Sequence, residues 1–525
     1  MSKVISRPRI ARTEELLLTG GDARILLEPR LNRNKYHCSP LPEPEVASFS
    51  SSTATSISAI GFEAADRLRR RIEASLGELS AQTIYAHELN RVRNELAQLS
   101  GVTGLAGVET VFCASGTDAH LIATQLAAGE ETIPPLVIMM QADETGKGVP
   151  TAVNGRHFSS RSALGSTFSE GEPVAGAGLL EVASVPIRSA DGTPRRSDSI
   201  DSDVESLALA AVKRGQRVLL FLLDQSKTGL IAPTPEYAAS LKSRLPGMID
   251  LLVDACQFRL APSTMRGYLE RGFMVALTGS KFLTGPAFSG ALFIPAELTP
   301  RLSRCRLPAA LSAYSARAEW PPDWSAASLL HDVANFGLLL RWEAALAELR
   351  AFRSVPEETI RQCLQEFATA VQDRLAVDPH FDPVPITRID RGSLGDPASW
   401  DNIPSIFTFS LCRPTRDGGA RVPLDSDETS EIYRLLQIDL PGTGVRSLLG
   451  QPVTYGQRDE ITLTALRICS SSRLVVEAAA LGGTAEIIGR VGATLDRVAL
   501  LIDAGNGAGA KKTSDQPVVT VPRPQ

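Results

Sequence analysis

Two apolar runs in this chain each end in a residue that can do chemistry. In LLVDACQF, strand-compatible residues lead to Asp254, so its carboxylate is predicted to emerge near the C-terminal end of a strand, where open α/β sheets place their ligands. In FMVALTGSKF, an apolar run over 273–277 stops at a Thr-Gly-Ser turn and delivers Lys281, 27 residues after Asp254. A carboxylate in that place can keep a pyridine nitrogen protonated, and a protonated ring draws electrons from a carbon that is losing a substituent. Gln257, three residues further on, can donate an amide hydrogen to a phenolic oxygen on the same ring. A half-buried lysine has a lowered pKa, which suits Schiff-base formation and proton transfer near neutral pH. Taken singly, one Asp and one Lys near strand ends are equally well surface charges.

A third segment is suited to phosphate. VETVFCASGTDAHLIATQL, residues 108–126, reads as a short strand, a small-residue turn over 114–117, and a helix starting near Asp118. The unpaired amides of Ser115, Gly116 and Thr117, the positive end of the helix dipole, and the Ser115 and Thr117 hydroxyls would all favour a phosphate dianion. Alone, such a turn is more often an ordinary N-cap. In order with Asp254, Gln257 and Lys281 it becomes part of one arrangement.

These stretches, ASGTDAH, VDACQ, and TGSK followed by GPAFSGALF, resemble the fold-type I enzymes that use pyridoxal 5′-phosphate (PLP), in their class V aminotransferase and cysteine desulfurase branch. The resemblance extends more loosely from about residue 85 to about residue 500. It implies an α/β fold with a large, mostly parallel seven-stranded sheet and a small C-terminal α+β domain. It further implies Lys281 as the catalytic Schiff-base lysine, Asp254 as partner of the ring nitrogen and Gln257 as partner of the phenolic oxygen. Thr117 and Thr278 match phosphate-binding hydroxyls, while Ser280 stands where many members carry histidine. Gly285-Pro286 lies one residue further from the lysine than in the family pattern.

The resemblance also places a substrate anchor near the C-terminus. EITLTALRICSSSRLVV is an alternating strand bearing Arg467, in the place of the arginine that grips the substrate α-carboxylate. A planar guanidinium suits that task because it binds a carboxylate through two parallel hydrogen bonds. Arg473 and Arg446 are the alternatives. His157 can stack on the outer face of the cofactor or assist proton transfer, and is equally readable as a loop histidine without function; His120 reads as a helix-face residue. A homodimer is implied, with Asn335 near the place where a neighbouring chain completes the phosphate site.

Cofactor chemistry of this kind covers transamination, elimination and other cleavage at the α-carbon. An aminotransferase-like enzyme acting on an amino acid or a derived intermediate leads, and a lyase is the alternative. A cofactor-binding regulator without turnover is a third class, against which the joint retention of Asp254, Gln257 and Lys281 argues. A cysteine desulfurase is disfavoured, because the loop IDLPGTGVRSLLGQPVTYG ahead of Arg467 has no cysteine to act as nucleophile.

Composition agrees with a globular enzyme. The chain has 525 residues, 43% apolar and 22% charged, so it has material for several cores. A net charge of −5 and the lack of a basic cluster interleaved with aromatics give no reason to expect nucleic acid. No run approaches the roughly 18 apolar residues of a membrane span, and the first residues lack the apolar core of a secretory signal. The seven cysteines are scattered without a CxxC pair, which points to reduced thiols in the cytoplasm rather than disulfides or a metal site.

Organisation reads as follows: an N-terminal arm and entry helix over 1–85, a large cofactor domain over 86–300, a helical segment over 301–345, a small domain over 346–505, and a disordered tail over 506–525. Seven strands are predicted at 108–113, 135–140, 181–187, 217–223, 249–254, 273–277 and 290–294, and two more at 405–412 and 461–469. Residues 165–178 and 188–203 read as exposed insertions. Asn34, Tyr36 and residues 50–55 of the arm are candidates to face substrate.

Overall fold

The computed structural model describes residues 9–129, 131–414, 421–458 and 461–509. After a short strand β1 (Ala47–Phe49) in the arm, the seven predicted apolar runs become β2 (Glu109–Cys113), β3 (Leu136–Met140), β4 (Val182–Val185), β5 (Val218–Leu223), β6 (Ile249–Ala255), β7 (Met274–Thr278) and β8 (Gly290–Ile294). They form one sheet in the order β2-β8-β7-β6-β5-β3-β4. The pairings from β7 through β6, β5 and β3 to β4 are parallel, while β8 runs against both of its neighbours. The β7–β8 connection carries no helix and folds straight back, which suits an antiparallel pair and not a crossover.

Strand alternation sorts the side chains onto two covered faces. Val137, Met139, Leu219, Phe221, Leu252 and Met274 share a core with Leu121, Ile122 and Leu126 of α3 (Gly116–Ala128), which follows α1 (Ala59–Ser75) and α2 (Ala81–Leu99). Ile138, Leu220, Val253 and Val275 face the other way. They meet Val204 of α4 (Ser197–Lys213), Leu241 of α5 (Pro235–Arg244), Met265 of α6 (Pro262–Glu270) and Leu338 of α7 (Phe336–Arg353). Burial on both faces is why these strands read as continuous apolar runs.

The smaller sheet has the order β1-β12-β13-β10-β11, with β9 on β10. Its further strands are β9 (Phe381–Pro383), β10 (Ile406–Pro414), β11 (Arg421–Pro423), β12 (Ser447–Arg458) and β13 (Ile461–Cys469). Helices α8 (Glu357–Val377), α9 (Ser426–Leu435), α10 (Ser472–Leu481) and α11 (Ala485–Gly509) complete an α+β unit.

Several boundaries differ from the sequence reading. The arm is not a separate segment: β1 pairs in parallel with β12, and Arg341 of α7 donates to the carbonyls of Leu17, Thr19 and Gly20. Residue 346, the predicted start of the small domain, falls inside the continuous helix α7. Much of the predicted loop ahead of Arg467 is strand β12; its glycines and proline sit at register shifts, between Gly450 and Val453 and between Thr454 and Gly456, that mask the alternation. The insertion beginning at Arg188 is anchored by that residue, which is buried in a 2.5 Å ion pair with Glu144, and α4 begins within it at Ser197. Of the tail, residues 510–525 lie outside the described residues, and α11 runs on to Gly509. Among the described residues no helix is long and apolar enough to cross a membrane.

Candidate active site

The parallel register sets Asp254 beside Ala276 and Ala255 beside Leu277, so β6 and β7 end together. Lys281, three residues beyond the last residue of β7, is close enough that its charge helps keep Asp254 ionised. Alternation turns Asp254 to the same sheet face as Leu252, the face covered by α3. There His120 of α3 brings Nε2 to 3.2 Å from Asp254 Oδ2, and the Cys256 amide donates to Asp254 Oδ1 at 3.1 Å. His120 Nδ1 lies 2.5 Å from the Gly116 carbonyl oxygen.

Burial by itself would raise the Asp254 carboxyl, but the charge and hydrogen bonding of His120, with Lys281, hold it well below the usual carboxylate range. Burial likewise opposes protonation of His120, and the Asp254 charge together with the Gly116 carbonyl raises its imidazolium above the ordinary value. His120 is therefore no ordinary helix-face residue. The spacing from the Ser-Gly turn could have shown this, since one turn into α3 is the reach of a strand-end acid.

The start of α3 is built closely against the end of β6. Ser115 caps the helix, accepting from the Asp118 amide at 3.3 Å and donating to Asp118 Oδ2 at 2.5 Å. A Cβ on Gly116 would sit 2.6 Å from Cys256 Sγ, so only glycine lets the helix start approach so near. Thr278 lies against Gly116 and donates its hydroxyl to the Cys256 carbonyl at 2.8 Å, while Ser280 donates to Thr278 Oγ1 at 3.3 Å. Thr117 is buried in the first turn beside the 146–148 loop. The predicted phosphate-binding residues are thus neighbours, although the Thr278 hydroxyl is already committed to the backbone.

The arm supplies groups that the sequence reading did not single out. Arg24 forms an ion pair with Asp22 at 2.5 Å and reaches Ser115 Oγ at 3.3 Å. Burial, helped by the Asp22 charge, pushes the Asp118 carboxyl up to about 7. Residues 50–55 also enter the site. The Gln257 amide donates to the Ser52 carbonyl at 3.2 Å, leaving Gln257 Oε1 buried without a partner among the described residues. Tyr36 rests against Phe288, and Asn34 closes a turn by accepting from the Tyr36 and Cys38 amides.

Arg467 is 2% exposed. It donates to Thr53 Oγ1 at 3.0 Å and to the carbonyls of Gln451 at 2.7 Å and Lys227 at 3.3 Å. Among the described residues no carboxylate comes within ion-pairing distance of it. The alternatives differ in this respect: Arg473 is paired with Glu348, and Arg446 with Glu45 and Asp439. A buried guanidinium without a counterion is costly, and among the described residues Arg467 is the one of the three that has none.

The His157 ring stacks on Phe168 at 3.7 Å and its Nδ1 lies 2.6 Å from the Tyr314 hydroxyl, so aromatic packing already takes up the imidazole. Asn335 caps α7 through the Leu338 amide and packs against Gly20. The ligand-type atoms of His120, Asp254 and Cys256 lie within 4.8 Å of one another; burial and the Asp254 charge push the Cys256 thiol far up, which makes it a poor metal-binding thiolate. A cavity of about 320 Å³ lined by Arg361, Asp390 and Asn402 shares none of the site residues.

No family model matches the sequence, and no curated protein does either. Solved structures do share the fold. A C-DES mutant with glycine covalently linked to its PLP cofactor aligns with a TM-score of 0.53 at 14% identity, covering 88% of this chain and 97% of that one. Mouse CSAD gives 0.53 at 15% identity, with 88% and 85% covered. Tryptophan decarboxylase of Catharanthus roseus, in complex with L-tryptophan, gives 0.51 at 16% identity, with 88% and 84% covered. The architecture is that of the PLP-dependent fold-type I enzymes.

Proposed function

We propose that this chain is a PLP-dependent enzyme acting at the α-carbon of an amino acid, aminotransferase-like in the manner of class V, with Lys281 as its catalytic residue. The observation that carries this reading is the ionised, histidine-backed carboxylate of Asp254 at the end of β6, with Lys281 just past the end of the adjacent strand. PLP bound there would supply an electron sink for the carbon that loses a substituent.

The residues present fit that group. Asp254 offers a fixed negative charge to a ring nitrogen, and His120 keeps it charged. Gln257 Nε2 gives one hydrogen to the Ser52 carbonyl and keeps a second for a phenolic oxygen. Ser115, Gly116 and Thr117 present the first amides of α3, with Thr278 and Ser280 beside them, for a phosphate. Arg467 orients an amino acid by its α-carboxylate, and Lys281 carries protons to and from the α-carbon. A homodimer in the cytoplasm belongs to this reading by analogy with enzymes of this fold.

A lyase is the second reading, supported by a solved neighbour described as a cystine C-S lyase at a TM-score of 0.50. The fold does not separate these branches, nor does it set a desulfurase aside. Against a desulfurase stand the thiols: Cys256 and Cys469 are buried, and burial pushes the Cys412 thiol up to about 11.

Borohydride reduction of the holoenzyme is expected to fix the cofactor on Lys281, and Lys281→Ala to lose both that adduct and all activity. Activity surviving in Lys281→Ala would refute the assignment. Adding an amino acid separates the branches. A transaminase loses the visible cofactor band and regains it with a keto acid, whereas a lyase releases product with no keto acid present.

A further inference from the structure

Beyond β5 the chain turns through the sequence Asp-Gln-Ser-Lys-Thr-Gly, and Lys227 is pinned there by its backbone. Its amide donates to the Glu144 carbonyl at 3.1 Å, and its carbonyl accepts from Arg467 Nη1 at 3.3 Å. The ammonium reaches the Asp143 carbonyl at 3.1 Å. Among the described residues Lys227, like Arg467, has no carboxylate within ion-pairing distance.

The nearby acids are committed or turned outward. Glu144 is held by Arg188 and accepts from Ser226 and Thr228; the Asp143 side chain is exposed; Asp254 is held by His120. Burial, with the Arg467 and Lys281 charges, lowers the Lys227 ammonium to about 8. Lys227 thus sits against Arg467 through its carbonyl, and among the described residues neither cation has a carboxylate partner, which calls for anions from outside. In the reading above, on which this inference rests, Lys281 is taken by the cofactor and Arg467 by the α-carboxylate. Lys227 is left over.

We infer that the substrate is an amino acid with an acidic side chain, whose second anionic group is bound by Lys227.

The test uses wild-type holoenzyme, Lys227→Met and Lys227→Arg, with half-saturation of the cofactor's spectral change as the readout. The probes are L-aspartate, L-glutamate and L-cysteine sulfinate against L-asparagine and L-glutamine. At least one acidic probe is expected to bind wild type about tenfold or more tighter than the amides, as a charge-assisted contact would give. That ratio falls toward one in Lys227→Met and is largely kept in Lys227→Arg. Amides binding wild type as tightly as the acids would overturn the inference. So would Lys227→Met weakening all five probes equally, which would mean that Lys227 shares the α-carboxylate with Arg467. Loss of cofactor from Lys227→Met would also overturn it, by assigning Lys227 to the cofactor phosphate. A wild-type protein with no visible band and no borohydride-fixed adduct on Lys281 would instead defeat the PLP reading itself, and is told apart by that first measurement.

Discussion

At the scale of single residues, the His120–Asp254 pair sets the electrostatics of the site. His120 is raised above its ordinary value, so its stabilising contribution is complete below about pH 6.5 and is lost as pH rises through the folded value. Asp254 is depressed, so its contribution is present above about pH 4 and is lost as pH falls through the folded value. His120→Asn removes the partner of a buried carboxylate, and urea unfolding of the cofactor-free protein near about pH 6 should show a cost of about 3–5 kcal/mol. That cost should shrink as pH rises past the folded His120 value. A penalty that stays constant across the alkaline range would show that the pair is not charged. Arg467 teaches a related lesson: its type and strand agreed with a carboxylate anchor, but what distinguishes it from Arg473 and Arg446 is that no acid among the described residues pairs with it, which only the folded chain reveals.

At the scale of elements, the close approach of α3 to the end of β6 depends on glycine at position 116. Gly116→Ala puts a methyl 2.6 Å from Cys256 Sγ. Overpacking of this kind costs about 1–3 kcal/mol and should lower both the thermal midpoint and the affinity for PLP. Because the obstructing atom is the Cys256 sulfur, Gly116→Ala combined with Cys256→Ala should recover most of the loss. A double variant no more stable than Gly116→Ala would place the strain elsewhere. The loop around Lys281 obeys the same logic, since a Cβ on Gly279 or Gly285 would meet Ala345 of α7 at a distance no real Cβ tolerates. Helix α7 can therefore lie directly behind the lysine loop.

At the scale of the whole molecule, the two sheets are joined by buried polar groups. Arg391, in the loop between β9 and β10, makes a two-pronged contact with Asp224 at the end of β5, at 2.7 Å for each nitrogen, and the Tyr268 hydroxyl donates to the same carboxylate at 2.6 Å. Both charged partners are almost wholly buried. Arg391→Met strands a buried carboxylate and should cost about 3–5 kcal/mol in urea unfolding, while adding Asp224→Leu should return part of it. A cost below about 1 kcal/mol would show that the pair is solvated in solution. The arm works at the same scale. By lending β1 to the small sheet and residues 50–55 to Gln257 and Arg467, it ties the first tenth of the chain to both domains.

What the amino-acid order determined by itself was the large sheet and the groups at its strand ends. Strands buried on both faces are apolar throughout, and a strand period of two leaves little freedom in where Asp254 and Lys281 emerge. The small sheet was less legible, because β12 hides its alternation behind Gly450, Pro452 and Gly456, and β1 finds its partner some 400 residues away. The partners of the site residues were decided by tertiary structure alone. His120 meets Asp254, Thr53 meets Arg467, and Lys227 pairs with no acid among the described residues, because packing distant segments together determines which charges are answered inside the chain and which are not.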